Sequence, residues 1–230
     1  MMRWLVLSIL FLNLQSPACC GEKPKPASAR EIKALIDQLV SPNRIPLKIS
    51  AAHGLPRDFD RQKQKRVDRA IARLLQLGPQ AFPFLIERWG DRRYCLTASD
   101  NISGAFLHMT VGQVCRALVF DQLQPYGHWP AGHNPDRNRR PPHRPRHPDA
   151  FLRTQELARQ WWKKNKHKAL YRMQLDVLDW VMAEEAKRPQ DFKEEERKQL
   201  QQIRKNLVQA GKPLPVGRVG GYDGFQVEKD

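Results

Sequence analysis

The sequence predicts an all-α fold, because its long regular segments repeat apolar residues with a helical period. Val67, Ala70 and Leu74, for example, recur at spacings of three and four and define one apolar face. The pair Gly78-Pro79 then suits the end of one helix and the first turn of the next. With 230 residues, 40% of them hydrophobic, the chain is long enough for one ordinary domain with tails.

Residues 1–18 have the features of a signal peptide. Arg3 supplies the positive end, Leu5 to Leu14 the apolar run, and Ser16-Pro17-Ala18 a small-residue cleavage site. The apolar run is shorter than the ~20 residues that a membrane-spanning helix needs. Ser16-Pro17-Ala18-Cys19 resembles the bacterial lipoprotein box, which implies lipidation of Cys19, while ordinary secretion after Ala18 is the alternative. The sequence therefore predicts export to the periplasm or cell surface, with or without a lipid anchor.

Residues 19–27 form a polar, Pro-containing tether, and the region 28–124 is predicted to be helical. Several helices in the chain are expected to begin at side-chain caps, which satisfy the free N–H groups of a first turn. The predicted caps are Ser28 with Glu31, Asp58 or Asp60, Thr110 with Gln113, and Asp191 with Glu194.

Leu74 to Ile86 (LLQLGPQAFPFLI), followed by Gly90 to Arg93 (GDRR), resembles the core of a HEAT-type, armadillo-like repeat. In that family one helix ends in Leu-Gly, the next opens on Pro, Ala, Pro and Leu, and an Asp stands at the turn. Residues 94–109 intervene before the next helix and no second copy follows. The resemblance implies a short, irregular stack of antiparallel helices that binds or scaffolds a partner, with no cofactor.

A segment of different composition interrupts the helical signals at 125–148. It holds seven prolines, five arginines and four histidines, so we expect an exposed loop excursion. Pro145 prevents the helix that would align His143 with His147, and the neighbouring arginines repel cations, so no metal site is expected. The arginines could instead bind a polyanion. They are Arg137, Arg139, Arg140, Arg144 and Arg146.

Cys95 and Cys115 lie 20 positions apart, each beside a predicted core segment. In an oxidising compartment they could pair, and closing such a loop could contribute ~3 kcal/mol. The alternative is two buried thiols that never meet. Zinc is not expected, because the sequence has no Cys-x-x-Cys or Cys-x-x-His spacing.

Helical periodicity resumes over residues 149–211, and residues 212–230 form a Gly- and Pro-rich tail that we expect to be flexible. The sequence lacks the common nucleophile, metalloprotease and phosphate-loop motifs, so we expect no catalytic residues. Asp176 and Asp179 are interpreted as a solvated pair.

The chain carries a formal charge of +16, which points either to an acidic partner or to simple solvation of an exported protein. The main hypothesis is an exported, non-catalytic helical scaffold or binding module that contacts an unidentified protein of the bacterial envelope. The alternative is a protein that binds anionic polymers or lipid head groups through the arginines of 125–148. Genomic nucleic acid is not the expected partner of an exported chain.

Overall fold

The computed structural model describes residues 26–46, 59–99, 106–124, 152–187, 194–216 and 219. In these ranges the chain is mainly helical, which confirms the coarse fold prediction. The elements in chain order are α1 (Ala29–Asp37), α2 (Arg61–Leu77), a 3-10 turn (Gly78–Ala81), α3 (Phe82–Ile86), β1 (Tyr94–Ser99), β2 (Phe106–Thr110), α4 (Val111–Leu123), α5 (Gln155–Asn165), α6 (Leu170–Ala186) and α7 (Glu194–Ala210).

The purely α-helical prediction missed an antiparallel hairpin. Strand β1 pairs with β2 in a register that sets Thr97 opposite His108 and Ala98 opposite Leu107. All residues from Cys95 to Ala98 are buried, so the strand shows no alternation of apolar and polar residues. Burial of both faces removes the period-two signal by which a strand is recognised in a sequence.

The predicted helix starts that fall in the described ranges are confirmed. Ser28 and Glu31 form a reciprocal capping box at α1, and Thr110 with Gln113 forms another at α4. Of the two candidates for α2, Asp60 is the N-cap, and its side chain accepts a hydrogen bond from the Lys63 N–H. The proposed box of Asp191 with Glu194 lies partly outside the described residues.

The Gly-Pro corner ends α2 as the sequence predicts. Gly78 takes a positive φ of 58°, which costs glycine little because it has no Cβ. Pro79 then lies in the first turn of the 3-10 segment, where its missing N–H costs no hydrogen bond. The helix expected after this corner is short: α3 begins at Phe82 and ends at Ile86.

Contacts between helices follow two rows. In the first row α1 contacts α3, and α3 contacts α5; in the second row α2 contacts α4, and α4 contacts α6. The rows meet where α1 contacts α2 and where α3 contacts α4. Helix α7 contacts α6 and so extends the second row at its end. The apolar core lies between the rows and includes Ile36, Leu74, Phe82, Leu85 and Leu118, each at most 1% exposed.

Two buried glutamines join segments that are distant in sequence. The Gln64 side chain donates to the Cys95 carbonyl of β1 and accepts from the Ser41 hydroxyl after α1. The Gln174 side chain donates to the carbonyls of Gln122 and Leu214 and accepts from the Leu214 N–H. Leu214, near the start of the predicted flexible tail, is therefore hydrogen-bonded to the core of the fold.

Among the helices of the described ranges, none combines the length and the apolar character needed to cross a membrane.

Candidate anion-binding surface

Helix α2 has one buried face and one strongly basic face. Its buried side includes Val67, Ile71 and Leu74, which hold the helix against the core. The helix contains six Lys and Arg residues and one Asp in the sequence RQKQKRVDRAIARLLQL. At 100° per residue, four of these cations fall within about one third of the helix circumference, on the side away from the core. This basic stripe comprises Lys65, Arg66, Arg69 and Arg73.

The three arginines of the basic stripe are held by neutral oxygen atoms. One terminal nitrogen of Arg66 donates to the Val40 carbonyl at 3.2 Å. The Arg69 Nε donates to the Lys65 carbonyl at 3.3 Å, and a terminal nitrogen of Arg73 donates to the Gln76 amide oxygen at 3.4 Å. In the described part of the chain, none of these three arginines forms an ion pair. The guanidinium groups are thus positioned without being neutralised.

The charge distribution along α2 opposes the helix dipole at its start. The first turn contains Arg61 and Lys63 and no acidic residue, although the positive end of a helix favours anions. Asp60 offsets part of this repulsion, since its carboxylate pairs with the Lys63 ammonium at 3.3 Å. The Lys63 backbone N–H is the main cause of the lowered pKa of Asp60. Helix stability alone therefore does not explain the basic residues of α2.

A second basic group lies at the end of α5 and has a simpler explanation. Lys163 and Lys164 occupy the last turn of that helix, and Lys166 is its C-cap residue. Cations at a helix C-terminus are stabilised by the dipole. We therefore regard this group as a structural feature and use it below as a control for the basic stripe.

The hairpin contains a polar cluster that the sequence did not indicate. The Thr97 hydroxyl lies 2.7 Å from the Tyr94 hydroxyl and 3.0 Å from the His108 Nδ1. Burial is the main cause of the raised pKa of Tyr94. Thr97 is only 8% exposed, so its hydroxyl is shielded from a substrate. The cluster is best explained as cross-strand pairing that holds the two strands in register.

Cys95 and Cys115 are both buried free thiols in this structure. Burial raises the pKa of Cys115 to about 12, and it raises the pKa of Cys95 even more strongly. The charge of a Cys115 thiolate would raise the pKa of Cys95 further. At neutral pH both sulfurs therefore remain protonated and unreactive. Their pairing as a disulfide stays a prediction.

The acidic pair that was interpreted as solvated is exposed and engaged in two ion pairs. Asp176 contacts the Lys168 ammonium at 2.6 Å, and Asp179 contacts the Arg204 guanidinium at 2.6 Å. Over the residues described, no group of three His, Cys, Asp or Glu side chains could hold a metal ion. Cys19 and the five arginines of 125–148 lie outside the described residues, as do the four histidines of that segment.

Comparison with protein families, with curated proteins and with solved structures finds no match to this chain.

Proposed function

We propose that this protein is an exported, HEAT-like helical binding module that captures an anionic partner through the basic stripe of α2. The main observation behind this proposal is that Arg66, Arg69 and Arg73 lie on the solvent-facing side of α2. The side chain of each donates a hydrogen bond to a neutral oxygen atom. A guanidinium that is already positioned loses less conformational entropy when a ligand binds. Its charge is also available, because no carboxylate among the described residues pairs with it.

The two rows of helices support a HEAT-like arrangement. Stacked helix pairs present one row on each side of the core, and α1–α2 and α3–α4 are the contacting pairs that join the rows here. Helix α2 belongs to the second row, and in the described part of the chain Lys65, Arg66 and Arg69 on its outer face are exposed. Membership of the HEAT-type family is a proposal, and the residues around the Gly78-Pro79 corner suggest the same family.

Phosphate groups are the ligand chemistry that best suits the basic stripe. Three of its four cations are arginines, whose planar fork can donate two parallel hydrogen bonds to a phosphate. Residues 65, 69 and 73 are separated by one helical turn each, about 6 Å. A flexible polymer with repeated phosphates, or a surface of phosphate head groups, can contact several of these cations together.

The test is a titration of the full chain with inorganic polyphosphate, and with poly-glutamate as a carboxylate probe. We expect the triple variant Arg66→Gln, Arg69→Gln, Arg73→Gln to bind polyphosphate more weakly. The slope of log affinity against log salt should fall by roughly 2–3, since each lost phosphate contact removes somewhat less than one released counterion. Wild-type protein should prefer polyphosphate to poly-glutamate at equal charge.

The matched control is Lys163→Gln, Lys164→Gln, Lys166→Gln, which removes the same charge from the end of α5. All three lysines are exposed, so the fold should tolerate the change. If both triple variants lose the same affinity and the same salt slope, binding follows net charge alone and the basic stripe is not a site.

The arginines of 125–148 are the second candidate for polyanion binding. The stripe variants leave Arg137, Arg139, Arg140, Arg144 and Arg146 in place. Salt-sensitive binding that survives loss of the stripe would therefore favour this segment. Deleting residues 125–148 behind a short Gly/Ser link should then abolish the remainder, because the deletion removes five arginines and one aspartate.

Export and anchoring form a separate part of the proposal. Cleavage before Cys19 is expected from the apolar run and the small residues that precede it. Intact mass of the protein from its native host distinguishes three products: an uncut chain, a chain cut before Cys19, and a cut chain with added acyl mass. The uncut product would contradict export, whereas a cut chain without acyl mass would contradict only the lipid anchor.

A further inference from the structure

The two outer edges of the hairpin differ in how they are covered. Along β1, the Ser41 N–H donates to the Tyr94 carbonyl at 2.9 Å, and the Gln64 side chain donates to the Cys95 carbonyl at 3.2 Å. The residues that follow are buried, and β1 contacts both α2 and α4. Strand β1 is therefore unable to accept another strand at this edge.

Strand β2 is the exposed strand of the pair. Leu107 is 56% exposed and His108 is exposed as well. Within the described residues, the backbone of 107–109 forms no hydrogen bond outside the hairpin. An edge strand carries a row of N–H and C=O groups that point away from its partner. These groups are positioned to pair with an additional strand.

The sequence of β2 lacks the features that usually protect an exposed edge. Natural proteins block such edges with charged side chains, prolines or bulges. Strand β2 reads FLHMT and contains no Lys, Arg, Asp, Glu or Pro. The single register irregularity of the hairpin falls on β1, between Tyr94 and Leu96. An uncharged edge is unexpected on a chain with a formal charge of +16.

We propose that β2 pairs antiparallel with β2 of a second copy of this chain and forms a four-stranded sheet across a two-fold axis. Pairing centred on His108 places that residue at the axis, while the Thr110 N–H keeps its hydrogen bond to the Gln113 side chain. Since β1 is covered, the new sheet offers no further edge, and assembly stops at two copies. An uncharged strand also lets two basic molecules meet without opposing cations at the contact.

The contact is small, so the dimer should be weak and should depend on protein concentration. A five-residue strand spans only about 17 Å. Mutual repulsion of two basic chains opposes dimer formation at low salt and is screened as the Debye length shortens to ~8 Å at physiological salt. Self-association should therefore strengthen with salt, whereas binding of a polyanion to the basic stripe weakens. The two proposals can therefore fail independently.

The test is sedimentation velocity of the full chain over increasing protein concentration, at low and at high salt. Leu107→Lys adds a charge to the edge at an exposed position, and the dissociation constant should rise at least tenfold. The control is Val208→Lys on α7, at a side chain that is similarly exposed at 52%. It should leave the dissociation constant unchanged. A wild-type chain that stays monomeric at every concentration would overturn the proposal, and so would equal effects of the two variants.

Hydrogen exchange of the amides of 107–109 keeps the proposal testable if Leu107→Lys does not fold. Those amides of β2 that point outward should exchange rapidly in dilute protein and slowly in concentrated protein. Protection that is independent of concentration would show that another segment of the same chain covers the edge. Protection that appears only with an added acidic peptide would show a different occupant. Either result would overturn pairing between copies.

Discussion

The Cα of Gly112 lies directly against the backbone of Trp89, where α4 begins beside the turn that follows α3. A Cβ at position 112 would approach the Trp89 carbonyl carbon to 2.8 Å and the Asp91 carbonyl oxygen to 2.9 Å. The Gly112 N–H donates to that same Asp91 oxygen at 2.9 Å. Only a residue without a side chain lets the first turn of α4 lie this close to the chain after α3.

Replacing Gly112 with alanine should therefore destabilise the protein, although alanine normally favours a helix. The added methyl group meets backbone atoms, which cannot rotate away, so the chain itself must shift. Overpacking of this kind costs roughly 1–3 kcal/mol and occasionally more. The measurement is the free energy of unfolding in urea.

Gly90→Ala is the matched control for this prediction. A Cβ at position 90 meets no atom within 4 Å, so the change should alter stability by no more than about 0.5 kcal/mol. Equal losses in the two variants would show that glycine flexibility, and not the contact with Trp89, determines the effect.

Truncating Leu74 should be costly because its side chain is fully buried between the helices. We expect Leu74→Ala to lower the free energy of unfolding by roughly 2–5 kcal/mol. Leu157→Ala makes the same chemical change on α5, at a side chain that is 37% exposed, and should cost less. A comparable shift of both urea midpoints would contradict the assignment of Leu74 to the core.

Gln174→Met should loosen the segment that follows α7. Methionine has nearly the same shape as glutamine but lacks its amide group. The Leu214 N–H therefore loses its acceptor, and the carbonyls of Gln122 and Leu214 lose a donor. Each buried polar group left unpaired costs roughly 1–3 kcal/mol. Hydrogen exchange at Leu214 should accelerate. Gln160→Met, at an exposed position of α5, should change neither stability nor exchange at Leu214.

The buried thiols predict a loss of stability in alkaline solution. Burial raises the pKa of Cys115 from 9.0 to about 12. Between these values the unfolded thiol releases its proton while the folded thiol retains it, so unfolding becomes more favourable as pH rises. Below pH 9 both states are protonated and the group has no effect. Urea unfolding from pH 8 to 11 should show the decline, and Cys115→Ala should reduce it.

A disulfide between Cys95 and Cys115 would remove that part of the alkaline decline, because neither sulfur could then ionise. Mass analysis of fragments prepared without a reductant decides between pairing and free thiols. A linked pair of fragments in freshly isolated protein would establish the disulfide. Separate fragments, each alkylated only after unfolding, would establish two buried thiols.

The local features of this protein can be derived from its sequence alone. Ser28 and Thr110 could be recognised as caps, and Gly78 as a helix end, because each depends on only a few neighbouring residues. The six basic residues of α2 are visible in the sequence as well.

Features that depend on residues distant in sequence are visible only in the folded chain. The hairpin was missed because α2 and α4 bury β1. The Asp, Asn, Ser and Gly residues between the two strands are the sequence signal that could have indicated a hairpin. The acceptor of Arg66 lies 26 residues away, at Val40. The role of Gln174 likewise depends on Leu214, 40 residues further along the chain. Periodicity and spacing report local conformation, whereas the pairing of a buried polar group depends on which segments the fold brings together.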